Sequence, residues 1–85
     1  MPSVVFTAHL KRLAPAAPMQ VEADTVRGAL DVVFAAHPLL RSYVLDEQGR
    51  LRKHVALYVD GGRAGLDDAV AQTAELCVLQ ALSGG

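Results

Sequence analysis

Two apolar, β-prone runs lie near the two ends of this 85-residue chain. Residues 3–10 read SVVFTAHL, in which Val4 and Phe6 fall on one side of an alternating pattern, and residues 74–82 read AELCVLQAL. Alternation predicts a half-buried strand, and a nearly continuous apolar run predicts a strand in the middle of a sheet. A chain this short buries only about 60% of its unfolded surface on folding, so we expect one domain with one thin core.

Between these runs, one segment has the period of a helix. Over residues 26–37 the apolar side chains recur three and four residues apart, which is the spacing of one helical face. The residues on that face are Val26, Ala29, Leu30, Val33, Phe34 and His37. Asp24 or Thr25 can cap the N-terminus, and Pro38 ends the helix. Gly28 costs roughly 1 kcal/mol relative to alanine, which predicts that the helix backbone approaches a sheet closely there.

The remaining elements are shorter. Residues 19–23 alternate and predict a second strand, which follows a proline-containing loop at 13–18. Residues 38–50 have no clean period and are expected to form a loop with room for one short turn of helix. Residues 51–60 alternate again, predict the longest strand and stop at the turn Asp60-Gly61-Gly62.

Two strands before the helix and two after it predict an α+β domain, in which one main helix covers one face of a mixed sheet of four to five strands. Because the first and last strands are both apolar, we expect them to pair in parallel at the centre of the sheet, which is the β-grasp arrangement. The domain is predicted to span residues 1–82. Residues 83–85, which read SGG, are expected to follow it as a flexible tail.

Composition limits the kind of function. The net charge is −1 with Lys and Arg scattered along the chain, so nucleic acid is not an expected partner. His9, His37 and His54 lack metal-ligand spacing, so no metal site is expected. Cys77 lies in an apolar run, where we expect a packed, inert thiol. No apolar stretch is long enough for a membrane helix, and with one cysteine and no leader sequence we interpret the chain as cytoplasmic.

The period-two pattern also predicts an exposed face of the sheet, on the side away from the helix. The side chains expected there are Val5, Thr7, His9, His54, Tyr58, Cys77 and Leu79, with Arg50 and Arg52 at the rim. An apolar patch of this kind often marks a protein interface. We therefore expect a partner to dock on it.

The element order, the stretch GRLRKHVALYVDGG at residues 49–62 and the terminal SGG resemble the ubiquitin-like sulfur carriers. That family includes the small subunit of molybdopterin synthase, the thiamine-biosynthesis sulfur carrier and the carrier of one cysteine-synthesis route. The resemblance spans essentially the whole chain. It implies a non-enzymatic carrier whose C-terminal carboxylate, at Gly85 here, is adenylated by an ATP-dependent activating enzyme and converted to a thiocarboxylate that donates sulfur.

The resemblance also implies the partners, namely a ubiquitin-activating-like adenylating enzyme, a sulfur donor enzyme and a downstream sulfur-acceptor enzyme. The chain itself is expected to bind no cofactor, because the activating enzyme uses the ATP. Leu82, Ser83 and Gly84 are expected to be threaded into that enzyme. Since glycine has no Cβ, Gly84 and Gly85 can pass through a narrow channel and leave the acyl carbon open to sulfide.

Two alternatives stay open. One is a ubiquitin-like modifier that is joined to target lysines through the same tail. The other is a β-grasp interaction domain in which the tail is idle.

Overall fold

The structure, a computed structural model, describes residues 1–6 and 18–80. The elements in chain order are β1 (Ser3–Phe6), β2 (Met19–Gln20), α1 (Val26–Ala36), α2 (Pro38–Val44), β3 (Val55–Val59), β4 (Gly62–Ala64) and β5 (Glu75–Gln80). The expected continuation of the first strand at 7–10, most of the expected loop at 13–18 and the expected tail lie outside the described residues.

Within the described ranges, the strands form one mixed sheet in the order β2-β1-β5-β3-β4. The first and last strands are adjacent and parallel, with Val4 opposite Leu76 and Phe6 opposite Val78. β5 pairs antiparallel with β3 on its other side, and the two outer pairs are antiparallel as well. The predicted β-grasp order, with the terminal strands together at the centre, is therefore confirmed.

The main helix follows the predicted face closely. Its buried residues are Val26, Ala29, Leu30, Val33 and Phe34, and His37 at its C-cap is half-buried. Of the two candidate caps, Thr25 performs the role, because its side chain accepts a hydrogen bond from the Gly28 N–H. The close approach to a sheet predicted at Gly28 is wrong. The nearest atoms to a Cβ there belong to Thr25 and Ala23, which precede the helix.

The segment expected to be mainly loop contains a second helix, α2. Pro38 occupies its first turn, where a missing N–H costs nothing. Leu40 and Val44 lie one turn apart and are both buried, so the helix is fixed by packing against the core. Two anchoring residues in seven give too short a periodic signal to identify such a helix from sequence.

Three strands differ from their predicted bounds. β3 begins at Val55 rather than at residue 51, because Leu51 forms an isolated bridge with Leu45 instead of joining the sheet. Residues 51–60 were expected to contain the longest strand, but among the described strands β5, with six residues, is longer than β3. The strand expected at 19–23 is limited to β2, although the Val21 N–H still donates to the Pro2 carbonyl at 2.9 Å. β4 was not predicted.

The core lies between the helices and one face of the sheet. Val4, Leu57, Leu76 and Val78 on the strands and Leu40 on α2 are fully buried there. Each such side chain contributes about 1.5–3 kcal/mol by leaving water. Within residues 1–6 and 18–80, no helix has the length and apolar character needed to cross a membrane.

Candidate functional site

The sheet anchors the residue from which the C-terminal segment starts. Gln80 is the last residue of β5, and it lies opposite Val55, the first residue of β3. β5 pairs with β1 as far as Val78 and with β3 as far as Gln80, so the chain is anchored up to this point by β3. The expected working residues Leu82, Ser83, Gly84 and Gly85 lie outside the described part of the chain. Five residues follow Gln80 in the sequence, which limits the reach of Gly85 from Gln80 to about 17 Å.

The face of the sheet away from the helices carries a half-buried apolar patch. The register places Cys77 on β5 between Val5 on β1 and Tyr58 on β3. Two residues further along β5, Leu79 lies opposite Ala56 on β3. All five side chains are half-buried, whereas the core-facing residues beside them on the strands are buried, namely Val4, Phe6, Val55, Leu57, Leu76 and Val78. We call these five residues the open-face patch. Alternation of side chains along a strand accounts for this division.

Arg63 on β4 borders the open-face patch. It is the register partner of Tyr58, and its guanidinium carbon lies 5.9 Å from the centre of the Tyr58 ring. A guanidinium over a tyrosine ring at this distance is attracted by the negative face of the ring, an interaction worth about 0.5–1 kcal/mol at an exposed site. Sequence reasoning missed Arg63, because β4 is only three residues long and shows no alternation of buried and exposed positions.

The basic residues expected at the rim lie elsewhere. The Arg52 Nε–H donates to the Ser42 carbonyl at 2.7 Å, so this side chain is tied to α2. Arg50 is exposed in the turn before β3. His54, expected in the patch, is exposed one residue before β3, in a turn closed by the Val55 N–H donating to the Arg52 carbonyl. Of the side chains expected in the patch that the structure describes, Val5, Tyr58, Cys77 and Leu79 share the open face. His54 lies immediately before the first residue of β3.

Cys77 lies in the middle of the open-face patch and is half-buried. Burial raises the pKa of its thiol above the ordinary value, and the negative charge of Glu75 raises it further. The thiol is therefore protonated at neutral pH, and a protonated thiol is a poor nucleophile. This environment suits a packing residue of the patch.

The other polar groups do not assemble into a reaction centre within the described residues. Those ranges hold no group of three or more His, Cys, Asp and Glu side chains arranged to bind a metal ion. An open cleft beside α2 is lined by Arg41, Arg52 and Asp46 among others. The Asp46 carboxylate accepts hydrogen bonds from the N–H groups of Arg50 and Gln48, which hold its pKa below the ordinary range. The Asp46 carboxylate therefore stabilises the turn at residues 46–50, to which it belongs.

Comparison with known proteins identifies close relatives. The chain is 36% identical over 81 residues to small archaeal modifier protein 1 of Haloferax volcanii, and the match covers 92% of this chain and 93% of that one. The crystal structure of that H. volcanii protein superposes with a TM-score of 0.83 at 33% identity, covering 99% of this chain and 98% of that one.

A second solved structure shares the fold. A chain of the BexX/CysO complex of Amycolatopsis orientalis superposes with a TM-score of 0.87 over the full length of both chains, at 21% identity. No protein-family model matches the chain.

Proposed function

Because the chain belongs to the family of ubiquitin-like small modifiers and sulfur carriers, we propose that it is a sulfur carrier charged at the carboxylate of Gly85. The observation that carries the proposal is the 36% identity to a family member over 92% of the chain. The position of β5 adds support, since the central strand leads the chain toward the Ser83-Gly84-Gly85 segment.

The first step is activation of the carboxylate. An α-carboxyl group has an ordinary pKa of about 3.5, so it is anionic at neutral pH and repels nucleophiles. A partner adenylating enzyme joins it to the α-phosphate of ATP and releases pyrophosphate, which gives a mixed anhydride with AMP. This chain supplies the carboxylate and the partner supplies the catalytic groups, so the chain is a carrier rather than an enzyme. Because the reaction consumes ATP, the proposal places it in the cytoplasm.

The second step is transfer of sulfur. Hydrosulfide from a sulfur donor enzyme attacks the acyl carbon, the bond to the AMP oxygen breaks, and AMP leaves. The product is a thiocarboxylate and one proton. A downstream acceptor enzyme then takes the sulfur. The absence of a side chain at Gly84 and Gly85 keeps the acyl carbon accessible in both steps.

The open-face patch is the proposed docking surface for the adenylating enzyme. It lies on the sheet face that the helices leave uncovered, and Leu79 is only one residue before the end of β5. A partner that covers this patch therefore contacts the strand that leads directly to the tail. An apolar patch bordered by a charged group such as Arg63 is typical of protein interfaces.

A second candidate function is protein modification. The H. volcanii relative is named as a modifier, which favours this reading. A modifier uses the same adenylated carboxyl group, but the attacking nucleophile is a target lysine amine and the product is an amide. The two functions therefore differ only in the acceptor.

Intact mass spectrometry separates the candidates. The chain is incubated with its cognate adenylating enzyme, ATP and a sulfide source, with and without a cell extract. Replacement of one oxygen by sulfur supports the carrier. Covalent adducts on other proteins, with Gly85 in the linkage, support the modifier. An unchanged mass under every condition contradicts both and leaves an interaction domain with an idle tail.

A further inference from the structure

The end of the sheet at which β5 stops is flanked by basic residues. Val55 lies opposite Gln80, and the three residues before Val55 are Arg52, Lys53 and His54. Lys53 and His54 are exposed, while Arg52 is half-buried and held by its 2.7 Å hydrogen bond to the Ser42 carbonyl. We call these three residues the basic end. Because β3 and β5 are antiparallel, the basic end lies beside the point at which the chain continues toward Gly85.

The opposite end of the molecule is acidic. Six exposed carboxylates lie there, namely Glu22, Asp24, Asp60, Asp67, Asp68 and Glu75. Backbone hydrogen bonds place them together: Asp60 N–H donates to the Glu75 carbonyl where β5 begins, and Val70 N–H donates to the Asp24 carbonyl before α1. In the described residues, Arg27 neutralises part of this charge through a 3.4 Å ion pair with Asp67.

The turn that carries Asp46 and Glu47 lies between the two ends, because both residues line the cleft beside α2 together with Arg52. Its Gly49 carbonyl accepts a hydrogen bond from Arg27 in the first turn of α1 at 3.3 Å. Asp46 and Glu47 therefore offset part of the Arg52 charge, and the exposed Lys53 and His54 are the residues of the basic end that lie outside this cleft.

The two ends act independently on a partner. β5 alone separates them by about 17 Å, from Glu75 to Gln80. The Debye length at physiological ionic strength is about 8 Å, so a surface near one end hardly senses the other. The net charge of −1 does not reveal this separation, because it is a sum in which the charges of the two ends largely cancel.

We infer that the basic end docks against an acidic protein surface that surrounds the entrance through which the adenylating partner receives the tail. This inference rests on the proposed function and holds whether sulfide or a lysine amine is the final acceptor. Charge complementarity at the entrance aligns the tail before it is threaded and speeds the encounter. The acidic end faces away from the partner in this orientation.

Stopped-flow association with the cognate adenylating enzyme tests the inference. Lys53→Glu reverses a charge at the basic end, and we expect the association rate constant to fall about tenfold at low ionic strength and less at high salt. Lys53→Arg keeps the charge and should bind at the wild-type rate. Glu22→Lys makes an equal and opposite change at the acidic end and should leave the rate nearly unchanged.

Three results would overturn the inference. They are an unchanged rate for Lys53→Glu, a gain for Glu22→Lys as large as the loss for Lys53→Glu, or tighter binding of the wild-type chain to a duplex RNA probe than to the enzyme. Failure of the proposed function looks different, since the wild-type chain itself then supports no ATP–pyrophosphate exchange. Exchange supported by Glu22→Lys should reach the wild-type rate, because Glu22 lies at the end that faces away from the partner.

Discussion

The hydroxyl oxygen of Thr25 accepts a hydrogen bond from the Gly28 N–H at 3.1 Å, and it would also lie 3.1 Å from a Cβ added to Gly28. The N-terminal cap of α1 and the glycine in its first turn therefore depend on each other. A side chain at residue 28 has to displace the group that caps the helix.

This relationship predicts a coupled pair of substitutions. Gly28→Ala should not stabilise the wild-type chain by the roughly 1 kcal/mol expected in an open helix, because the methyl group crowds the Thr25 hydroxyl. Thr25→Ala should cost about 1 kcal/mol through loss of the cap. In the Thr25→Ala background, Gly28→Ala should become stabilising. Urea unfolding of the four chains measures the coupling, with Thr25→Ser as the control that keeps the oxygen; additive effects would contradict the account.

The hairpin between β3 and β4 yields a second prediction. Asp60 and Gly61 have φ of 50° and 85°, as a type I′ turn requires, and the Asp60 carboxylate accepts a hydrogen bond from the Glu75 N–H at 2.9 Å. Asp60→Ala loses both the tolerance of positive φ and this hydrogen bond, so the free energy of unfolding should fall by about 2 kcal/mol. Asp60→Asn retains both features and should stay close to wild type in the same denaturation experiment. Equal losses for the two variants would show that neither the positive φ at residue 60 nor the hydrogen bond from the Glu75 N–H accounts for the loss of stability.

Asp46 predicts a dependence of stability on pH. Its folded-state pKa is lowered, first by the Arg50 N–H and also by the Gln48 N–H, with smaller contributions from the charges of Arg50 and Arg52. Because the folded pKa is the lower one, this stabilisation is present above the unfolded pKa and is lost as the pH falls through the folded pKa.

Asp46→Asn keeps the hydrogen-bond acceptor but not the charge. We expect it to be less stable than wild type at neutral pH, with a difference that shrinks as the pH falls below the ordinary carboxyl range. Denaturant midpoints measured across the acid range check this. Glu47→Gln removes a carboxylate from the same turn without touching these hydrogen bonds, and its effect should be smaller; a difference for Asp46→Asn that grows in acid would refute the prediction.

How much of the fold the sequence predicts depends on how many anchoring residues each element has. α1 places five buried side chains on one face, so its helical period and its N-cap can be recognised in the sequence. α2 has two buried residues, and β4 has none, so their formation depends on the helix layer and on the β3 hairpin. β3 is shorter than its alternation predicts because Leu51 pairs with Leu45, a contact that sequence spacing does not encode.

The open face illustrates the same limit for the site. Alternation is enough to bring Val5, Tyr58 and Leu79 to one side of the sheet, because a strand has a fixed period of two. It does not identify Arg63, whose position over Tyr58 depends on the register of a strand that was not predicted. His54 lies just before the ladder begins, where alternation no longer constrains a side chain.

The docking role of the open-face patch predicts a selective loss of binding. Leu79→Asp places a charge in the patch, and affinity for the adenylating enzyme should fall by at least tenfold, which corresponds to about 1.4 kcal/mol. Leu39→Asp makes the same substitution on α2, where the side chain is 67% exposed, and should bind as wild type does. Isothermal titration of folded variants measures both affinities. Equal affinity for Leu79→Asp and wild type would exclude the patch as the docking surface.

The central claim is that the carboxylate of Gly85 is the reacting group, and the rate of thiocarboxylate formation tests it most directly. Three chains are compared with the cognate adenylating enzyme, ATP and sulfide: the wild type, a chain with one alanine added after Gly85, and a chain lacking Gly85. All three should unfold at the same denaturant concentration, because the changes lie beyond β5. We predict that only the wild-type chain forms thiocarboxylate. Formation at the wild-type rate by either altered chain would contradict the claim.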